Sequence, residues 1–182
     1  MIRGMKTEII EVRTGGRETV RDITPACAEF ASAASGGGDG LLHVFVPHAT
    51  AGIALIELGA RSDDDLLAAL GDLLPADERW RHAHGSRGHG RSHVLPAFVP
   101  PYATVPVIGG RLALGTWQSI ALVDLNVDNP DRRVRLSFLA DAGPGRGVWR
   151  GRRLAGARLP VRLLSAPGRC RERTQTVDHS RR

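Results

Sequence analysis

The stretch Thr104–Leu139, TVPVIGGRLALGTWQSIALVDLNVDNPDRRVRLSFL, decides the fold of this chain. Gly109-Gly110 joins its first two β-rich runs, and two glycines between apolar runs are typical of a tight β-hairpin. A turn sequence, Asp-Asn-Pro-Asp at 128–131, comes before the last run. Because short turns join antiparallel strands, the stretch predicts a mostly antiparallel sheet. The predicted strands lie at 104–108, 111–114, 119–125 and 133–139.

Further strands are predicted on the N-terminal side of this stretch. Charged and apolar residues interleave over Met5–Thr14, as they do in a half-buried strand. Leu41–Val46 and Gly52–Ile56 are two apolar runs separated by Pro47-His48-Ala49-Thr50. The chain is therefore expected to contain about six or seven strands, most of them in hairpins.

Two helices are predicted between these strands. Thr24 fits an N-cap and Pro25 fits the first helical position, while the glycines at 36–38 fit the end of that helix. Ser62, followed three residues later by an aspartate, indicates a second helix through a weak form of the capping box. Pro75 ends it. Two helices and many hairpins indicate an α+β domain.

Length and composition fit one folded domain with a tail. The chain has 182 residues, of which 42% are apolar and 24% charged, as in ordinary globular proteins. We predict a domain at 1–141 and a tail rich in Arg, Gly and Pro at 142–182. The tail is expected to be disordered, because its periodicity is lost. An added strand or helix at Leu154–Leu164 is the alternative.

The net charge of +6 arises from the tail. Residues 142–182 hold 11 of the 25 Lys and Arg residues and two of the 19 acidic residues, which gives this segment +9. The remaining residues carry −3. Nucleic acid is therefore not an expected partner of the folded domain, although the basic tail would bind it without sequence preference.

Several features indicate a cytoplasmic protein with no membrane partner. The N-terminus lacks the apolar segment of a signal peptide, and no apolar run reaches the length of a membrane span. Cys27 and Cys170 are the two cysteines, and they lie in unrelated contexts. A disulfide framework is not expected, which fits a reducing compartment.

Four of the seven histidines lie within twelve residues: His82, His84, His89 and His93. One interpretation is a solvated loop in which they have no role. The other is a metal site, which needs neutral imidazoles from more than one segment. His48 supplies a second segment, because it interrupts two apolar strands. Taken alone, His48 would more often be a structural histidine than a ligand.

Other polar residues have two interpretations each. Glu57 and Asp124 end apolar strands, and they matter for chemistry only if they face the histidines as ligands, orienting groups or bases. Trp117 fits either a buried aromatic or a substrate wall flanked by hydrogen-bond donors from Thr116 and Gln118. Arg132 and Arg133 would suit a phosphate, although charged runs are more often solvated.

Spaced motifs across residues 5–140 resemble a known family. They are His48-Ala-Thr-Ala-Gly, Glu57, Asp65, Trp80-Arg-His82, Ser92-His93 and Gly109-Gly-Arg-Leu-Ala-Leu-Gly-Thr-Trp-Gln118. In this order they are similar to the secondary thiamine-phosphate synthase, or YjbQ-like, family. The resemblance implies a β-sandwich with about two flanking helices, a homotrimer, and a metal site at His48, His82 and His93. It also implies thiamine-phosphate synthase activity.

The chain departs from the family pattern at substrate-facing positions. Ile56 stands where the family has Asn, Asp124 stands where Glu is more usual, and Trp80 replaces Tyr. Prolines follow His93, and they cannot sustain a regular helix. The departures therefore affect the expected substrate geometry more than the expected metal site.

The resulting hypothesis is a metal-dependent enzyme that joins hydroxymethylpyrimidine diphosphate to thiazole phosphate and releases pyrophosphate. His48, His82 and His93 would hold a divalent metal, with zinc favoured by the imidazoles and Mg, Mn or Ni as alternatives. Asp124, Glu57 and Gln118 would be the catalytic residues. Thr116, Arg132 and Arg133 would bind a small phosphorylated metabolite.

Two other functions are open alternatives to the synthase. One is a non-catalytic trimeric module that binds a metal or an anion. The other is a metal-assisted hydrolase of a phosphorylated metabolite. A metal-sensitive product from the two thiamine precursors would separate the synthase from the module.

Overall fold

The computed structural model of the chain describes residues 4–82 and 84–141. The strands are β1 Lys6–Arg13, β2 Thr19–Asp22, β3 Gly40–Phe45, β4 Ala51–Ile56, β5 Tyr102–Ile108, β6 Arg111–Leu112, β7 Ser119–Asp124 and β8 Asp131–Ala140. The helices are α1 Thr24–Ser35, α2 Ser62–Leu73 and α3 His89–Ser92, with a 3₁₀ helix at Leu95–Ala97. The predicted disordered tail and the alternative at Leu154–Leu164 lie outside the described residues, so the division at 141 stays a prediction.

The strands form two antiparallel sheets. The larger sheet has the order β1-β8-β3-β5-β6, and the smaller has the order β2-β7-β4. The long strand β8 pairs with both β1 and β3, so that Leu139 lies opposite Leu41. With helices added to these sheets, the prediction of an α+β fold with mostly antiparallel strands is confirmed.

Strand β7 lies between two apolar clusters. On one side, Ile120 and Leu122 belong to a core that includes α1 and the inner face of the larger sheet. On the other side, Val123 packs in a second cluster with residues of α2 and of the segment around the 3₁₀ helix. A strand that is buried on both faces is expected to have apolar residues at consecutive positions, which explains Ile-Ala-Leu-Val at 120–123.

Both predicted helices are present, but their ends form differently from the prediction. Helix α1 follows Ile23 without a side-chain cap, and the Thr24 hydroxyl instead accepts the Ile120 N–H of β7 at 2.8 Å. Helix α2 also has no side-chain cap, since Arg61 precedes it in a left-handed conformation with φ 68°. Both N-cap predictions are therefore wrong. Neither the Thr24 side chain nor the Ser62 side chain caps the start of its helix.

Three elements are not predicted from the sequence: strand β2, helix α3 and the 3₁₀ helix. Strand β2 is only four residues long, and it pairs with β7. Helix α3 lies in the histidine-rich stretch, for which a solvated loop was one interpretation, and follows Gly88, whose φ is 75°. Among the described residues, no helix is long and apolar enough to cross a membrane.

Candidate metal centre

Four imidazoles converge where α3 packs against the loop that precedes it. They belong to His82, His84, His89 and His93, and one ring nitrogen from each lies within 4.8 Å of those of the others. His89 and His93 are four residues apart on α3 and its C-cap, so the helical turn places both on one face. The other two come from the preceding loop. Two segments therefore supply two imidazoles each.

The spacing of the nitrogens is close to that of a metal site. The Nε2 atoms of His89 and His93 are 3.0 Å apart. With metal–nitrogen bonds of about 2.0–2.1 Å, neighbouring ligands of a tetrahedral ion lie about 3.4 Å apart, and no two ligands exceed about 4.2 Å. A pair of nitrogens at the 4.8 Å limit of the group would have to move inward by roughly 0.6 Å. His82 and His84 are exposed and can make that movement without loss of packing.

Two glycines let the loop approach α3 closely. A Cβ at Gly90 would lie 2.5 Å from the Cβ of Trp80 and 2.7 Å from the carbonyl oxygen of His82. A Cβ at Gly85 would lie 2.6 Å from Nδ1 of His89. Both positions exclude side chains, because contacts this short do not occur in folded proteins. Glycine at these positions is therefore part of how the histidines come together.

The ring of His89 is oriented by Asp128. Nδ1 of His89 lies 2.6 Å from Oδ2 of Asp128, and the His89 side chain is only 8% exposed. The backbone N–H of Ser86 lowers the pKa of Asp128, and His89 and the Ser86 hydroxyl add to this effect. An ionised carboxylate accepts a hydrogen bond from Nδ1–H, which favours the tautomer of His89 whose Nε2 carries no proton. This is the tautomer that a metal ligand needs.

His82 and His93 are also in a state suited to ligation. Desolvation lowers the pKa of His82, and the neighbouring His84 and His89 lower it further. Desolvation and the same neighbourhood of imidazoles lower the pKa of His93. The rings of His82, His84 and His89 border an open pocket of about 310 Å³, which Trp80 and the acidic residues Asp77 and Glu78 also line.

His48, the third predicted ligand, lies elsewhere. Its Nε2 accepts the backbone N–H of Arg133 at 3.0 Å, and its Nδ1 is 3.5 Å from a guanidinium nitrogen of Arg132. Burial, followed by the charge of Arg132, lowers the pKa of His48. Of the predicted triad, the structure brings together His82 and His93 only.

Asp124 and Arg132 are bound to each other. Oδ2 and Oδ1 of Asp124 accept hydrogen bonds from Nε and Nη2 of Arg132 at 2.7 and 2.9 Å, and the side chains are 0% and 1% exposed. Arg133 is exposed and lies 3.8 Å from Glu11. These two arginines line an open pocket of about 440 Å³ together with His48, Glu11 and Asp131, and the formal charges of that lining cancel.

The remaining predicted site residues do not line the histidine pocket. Glu57 is exposed just beyond β4, and Thr116 is exposed before β7. Gln118 closes its own turn, since its Oε1 accepts the Gly115 N–H at 2.8 Å. Trp117, for which a buried position was one interpretation, is 72% exposed.

Three residues of this centre, His84, His89 and Asp128, are not among the predicted site residues. His84 and His89 belong to the histidine-rich stretch, and Asp128 belongs to the predicted turn at 128–131. The spacing of His89 and His93 was the available signal, because residues four apart share a helix face. It was overlooked because no helix was predicted there.

Comparison with known proteins places the chain in a family. The sequence profile described as "UPF0047 protein YjbQ-like" matches residues 8–141. The chain belongs to the YjbQ-like UPF0047 family. UPF0047 protein Rv2556c of Mycobacterium tuberculosis is 60% identical over 135 residues, which cover 74% of this chain and 98% of the relative. A UPF0047 protein of Methanothermobacter thermautotrophicus is 34% identical over 132 residues, covering 72% of this chain and 90% of the relative.

Solved structures agree with the UPF0047 assignment. A structure of a YbjQ-like protein of unknown function from Sulfolobus solfataricus matches with a TM-score of 0.70 and 25% identity, covering 76% of this chain and 99% of the other. The hypothetical protein APE1520 of Aeropyrum pernix matches with a TM-score of 0.67 and 34% identity, covering 75% and 99%. These matches confirm the YjbQ-like fold.

The predicted activity is wrong. The family description and the relatives' names give only the UPF0047 or YjbQ designation, and they name no synthase, transferase or zinc. The prediction of a thiamine-phosphate synthase is therefore withdrawn, together with its transferase and zinc assignments. The family description and the relatives' names do not support the two alternatives either, namely a trimeric metal- or anion-binding module and a phosphorylated-metabolite hydrolase.

Proposed function

We propose that this UPF0047 protein binds one divalent transition-metal ion at His82, His84, His89 and His93. The observation that carries the proposal is the approach of four imidazole nitrogens to within 4.8 Å of one another. Imidazole suits late first-row ions such as Co²⁺, Ni²⁺ and Cu²⁺, whereas Mg²⁺ and Ca²⁺ prefer oxygen ligands.

Two further observations support this function. His89 and His93 come from one helical turn, so half of the ligand set is held in place before an ion arrives. The pocket is open to solvent on the side of the exposed loop histidines, which gives an ion a way in.

Titration of the metal-free full chain with Co²⁺ tests the proposal, because the visible spectrum of cobalt reports its nitrogen ligands. We expect one ion per chain. The double variant His89→Ala/His93→Ala is expected to weaken binding at least about 100-fold, since it removes the preformed pair, each ligand being worth roughly a tenfold factor or more.

Two histidine variants serve as matched controls. His43→Ala removes a histidine that bonds to Thr104 on the larger sheet, and His48→Ala removes the ligand predicted from the resemblance. Both are expected to bind cobalt as the wild type does. Absence of stoichiometric binding, or equal losses in all three variants, would show that the four-histidine group is not the site.

A further inference from the structure

We propose that Asp128 is a positioning residue of the metal centre, and that buried Asn126 and the Asp124–Arg132 pair hold it there. This inference rests on the proposed metal-binding function. It gives the centre a fixed half, built on α3, and an adaptable half, built on the loop that carries His82 and His84.

One carboxylate oxygen of Asp128 contacts both His89 and Ser86. Oδ2 lies 2.6 Å from Nδ1 of His89, and it accepts the backbone N–H of Ser86 at 3.0 Å and the Ser86 hydroxyl at 3.2 Å. The carboxylate therefore ties α3 to the preceding loop. It also holds the His89 ring with Nε2 directed toward His93, 3.0 Å away.

Asp128 itself is anchored by hydrogen bonds. Its backbone N–H donates to Oδ1 of Asn126 at 2.8 Å, and the amide nitrogen of Asn126 donates to the Thr50 hydroxyl at 3.3 Å. The backbone N–H of Asn126 donates to Oδ1 of Asp124 at 3.0 Å, and Asp124 is bound by Arg132. Hydrogen bonds therefore run without a break from β8 to the ring of His89.

This chain of hydrogen bonds is buried. Asn126 is 7% exposed and Thr50 is 5% exposed, while Asp124 and Arg132 are almost inaccessible. Buried and fully bonded polar groups have few alternative arrangements, because each lost bond leaves a desolvated group unpaired. These buried hydrogen bonds therefore fix the position of Asp128, and Asp128 fixes the orientation of the His89 ring.

Metal affinity of Asp128 variants tests the inference. Loss of a carboxylate that orients a ligating histidine typically weakens metal binding about 10–100-fold. We expect that range for Asp128→Ala in cobalt titrations. Asp128→Asn is expected to lose less affinity, because the amide oxygen can still accept a hydrogen bond from Nδ1–H of His89. The conservative variant thus gives partial rescue.

Asp77→Asn is the matched control. Asp77 lines the same pocket, but its carboxylate pairs with Arg79 and not with a histidine. The variant removes one negative charge near the ion without touching His89. We expect its cobalt affinity to stay within about threefold of the wild type, since exposed charges are well screened.

A second readout distinguishes positioning from general destabilisation. Nitrogen-15 NMR of the metal-free protein reports which ring nitrogen of His89 carries the proton. We expect Nδ1–H in the wild type and in Asp128→Asn, and a mixture of tautomers in Asp128→Ala. Asn126→Ala should weaken cobalt binding in the same direction, by a smaller factor, since Asp128 keeps its carboxylate.

The outcomes separate the two proposals. If the wild type binds no cobalt, the metal-binding function fails. If the wild type binds cobalt while Asp128→Ala binds it equally well, or if His89 keeps one tautomer in that variant, the positioning role is overturned and the metal site stands. If Asp128→Ala does not fold, Asp128→Asn replaces it in the test. The positioning role then requires that Asp128→Asn loses more cobalt affinity than Asp77→Asn does.

Discussion

Asp124 and Arg132 show how a charged pair can be held inside this domain. Both side chains are almost completely buried, and two hydrogen bonds join them. In the interior, the attraction of such a pair roughly offsets its desolvation cost, but removing one partner leaves a buried charge unpaired. The pair is therefore a point where a single substitution has a large effect.

We expect Asp124→Asn to lower the free energy of unfolding by about 3 kcal/mol, because Arg132 keeps its charge and loses its counter-ion. Urea denaturation followed by circular dichroism measures the change. The control is Asp64→Asn, which removes the same charge from the exposed pair with Arg61. That variant should lower the free energy of unfolding by less than about 1 kcal/mol. Equal losses of unfolding free energy in the two variants would show that burial does not make the Asp124–Arg132 pair more sensitive than an exposed pair.

At the level of elements, β4 packs against the segment that follows the 3₁₀ helix. The N–H of Ile53 donates to the carbonyl of Pro100 at 2.8 Å, so this segment lies directly along the strand. Gly52 makes the approach feasible, because a Cβ there would lie 2.2 Å from the backbone oxygen of Val99. The prolines after His93 therefore shape a segment that packs closely on β4.

Two glycine-to-alanine substitutions should have opposite effects. Gly52→Ala is expected to destabilise the domain by about 1–3 kcal/mol, because the backbone of Val99 must move. Gly71→Ala, within α2, is expected to stabilise it by about 0.5–1 kcal/mol, since a Cβ there meets nothing within 4 Å and alanine favours helix. Chemical denaturation of both variants measures the two signs. Stabilisation by Gly52→Ala would contradict the close packing described for β4.

Sequence periodicity was enough to predict the hairpins but not the sheet partners. The Gly109-Gly110 turn and the apolar run of β7 carry local signals, and both elements formed where they were expected. Strand β2 has only four residues, so it is recognisable only through its pairing with β7. Strand pairing depends on contacts far apart in sequence, which local patterns do not contain.

The candidate centre was predictable only in part, for the same reason. The density of histidines pointed to the right stretch of chain. Which of them converge depends on α3 and on glycines that have no periodic signal. His48 was predicted as a ligand because it interrupts two apolar strands and because the resemblance implies it. Its Nε2 instead accepts the N–H of Arg133, a contact that comes from the fold of β8.

On the scale of the whole molecule, the outer face of the larger sheet carries a patch of apolar side chains that are exposed among residues 4–82 and 84–141. Leu41 and Leu139 lie opposite each other on neighbouring strands and are 43% and 50% exposed, with Met5 beside them at 64%. They border an open groove of about 510 Å³. Exposed apolar surfaces of this kind often mark sites of association. The homotrimer implied by the resemblance stays a prediction, and we propose that copies of the chain meet on this face.

Sedimentation velocity tests this assembly. We expect the wild type to sediment at three times the chain mass of 19.5 kDa, and Leu41→Glu/Leu139→Glu to shift it toward the monomer, because two carboxylates on the face would lose hydration on contact. Leu73→Glu is the control, since Leu73 is equally exposed but lies on α2, away from the sheet. That variant should remain a trimer. A monomeric wild type would overturn the assembly, whereas a trimeric double variant would leave the assembly intact and move the interface to another face.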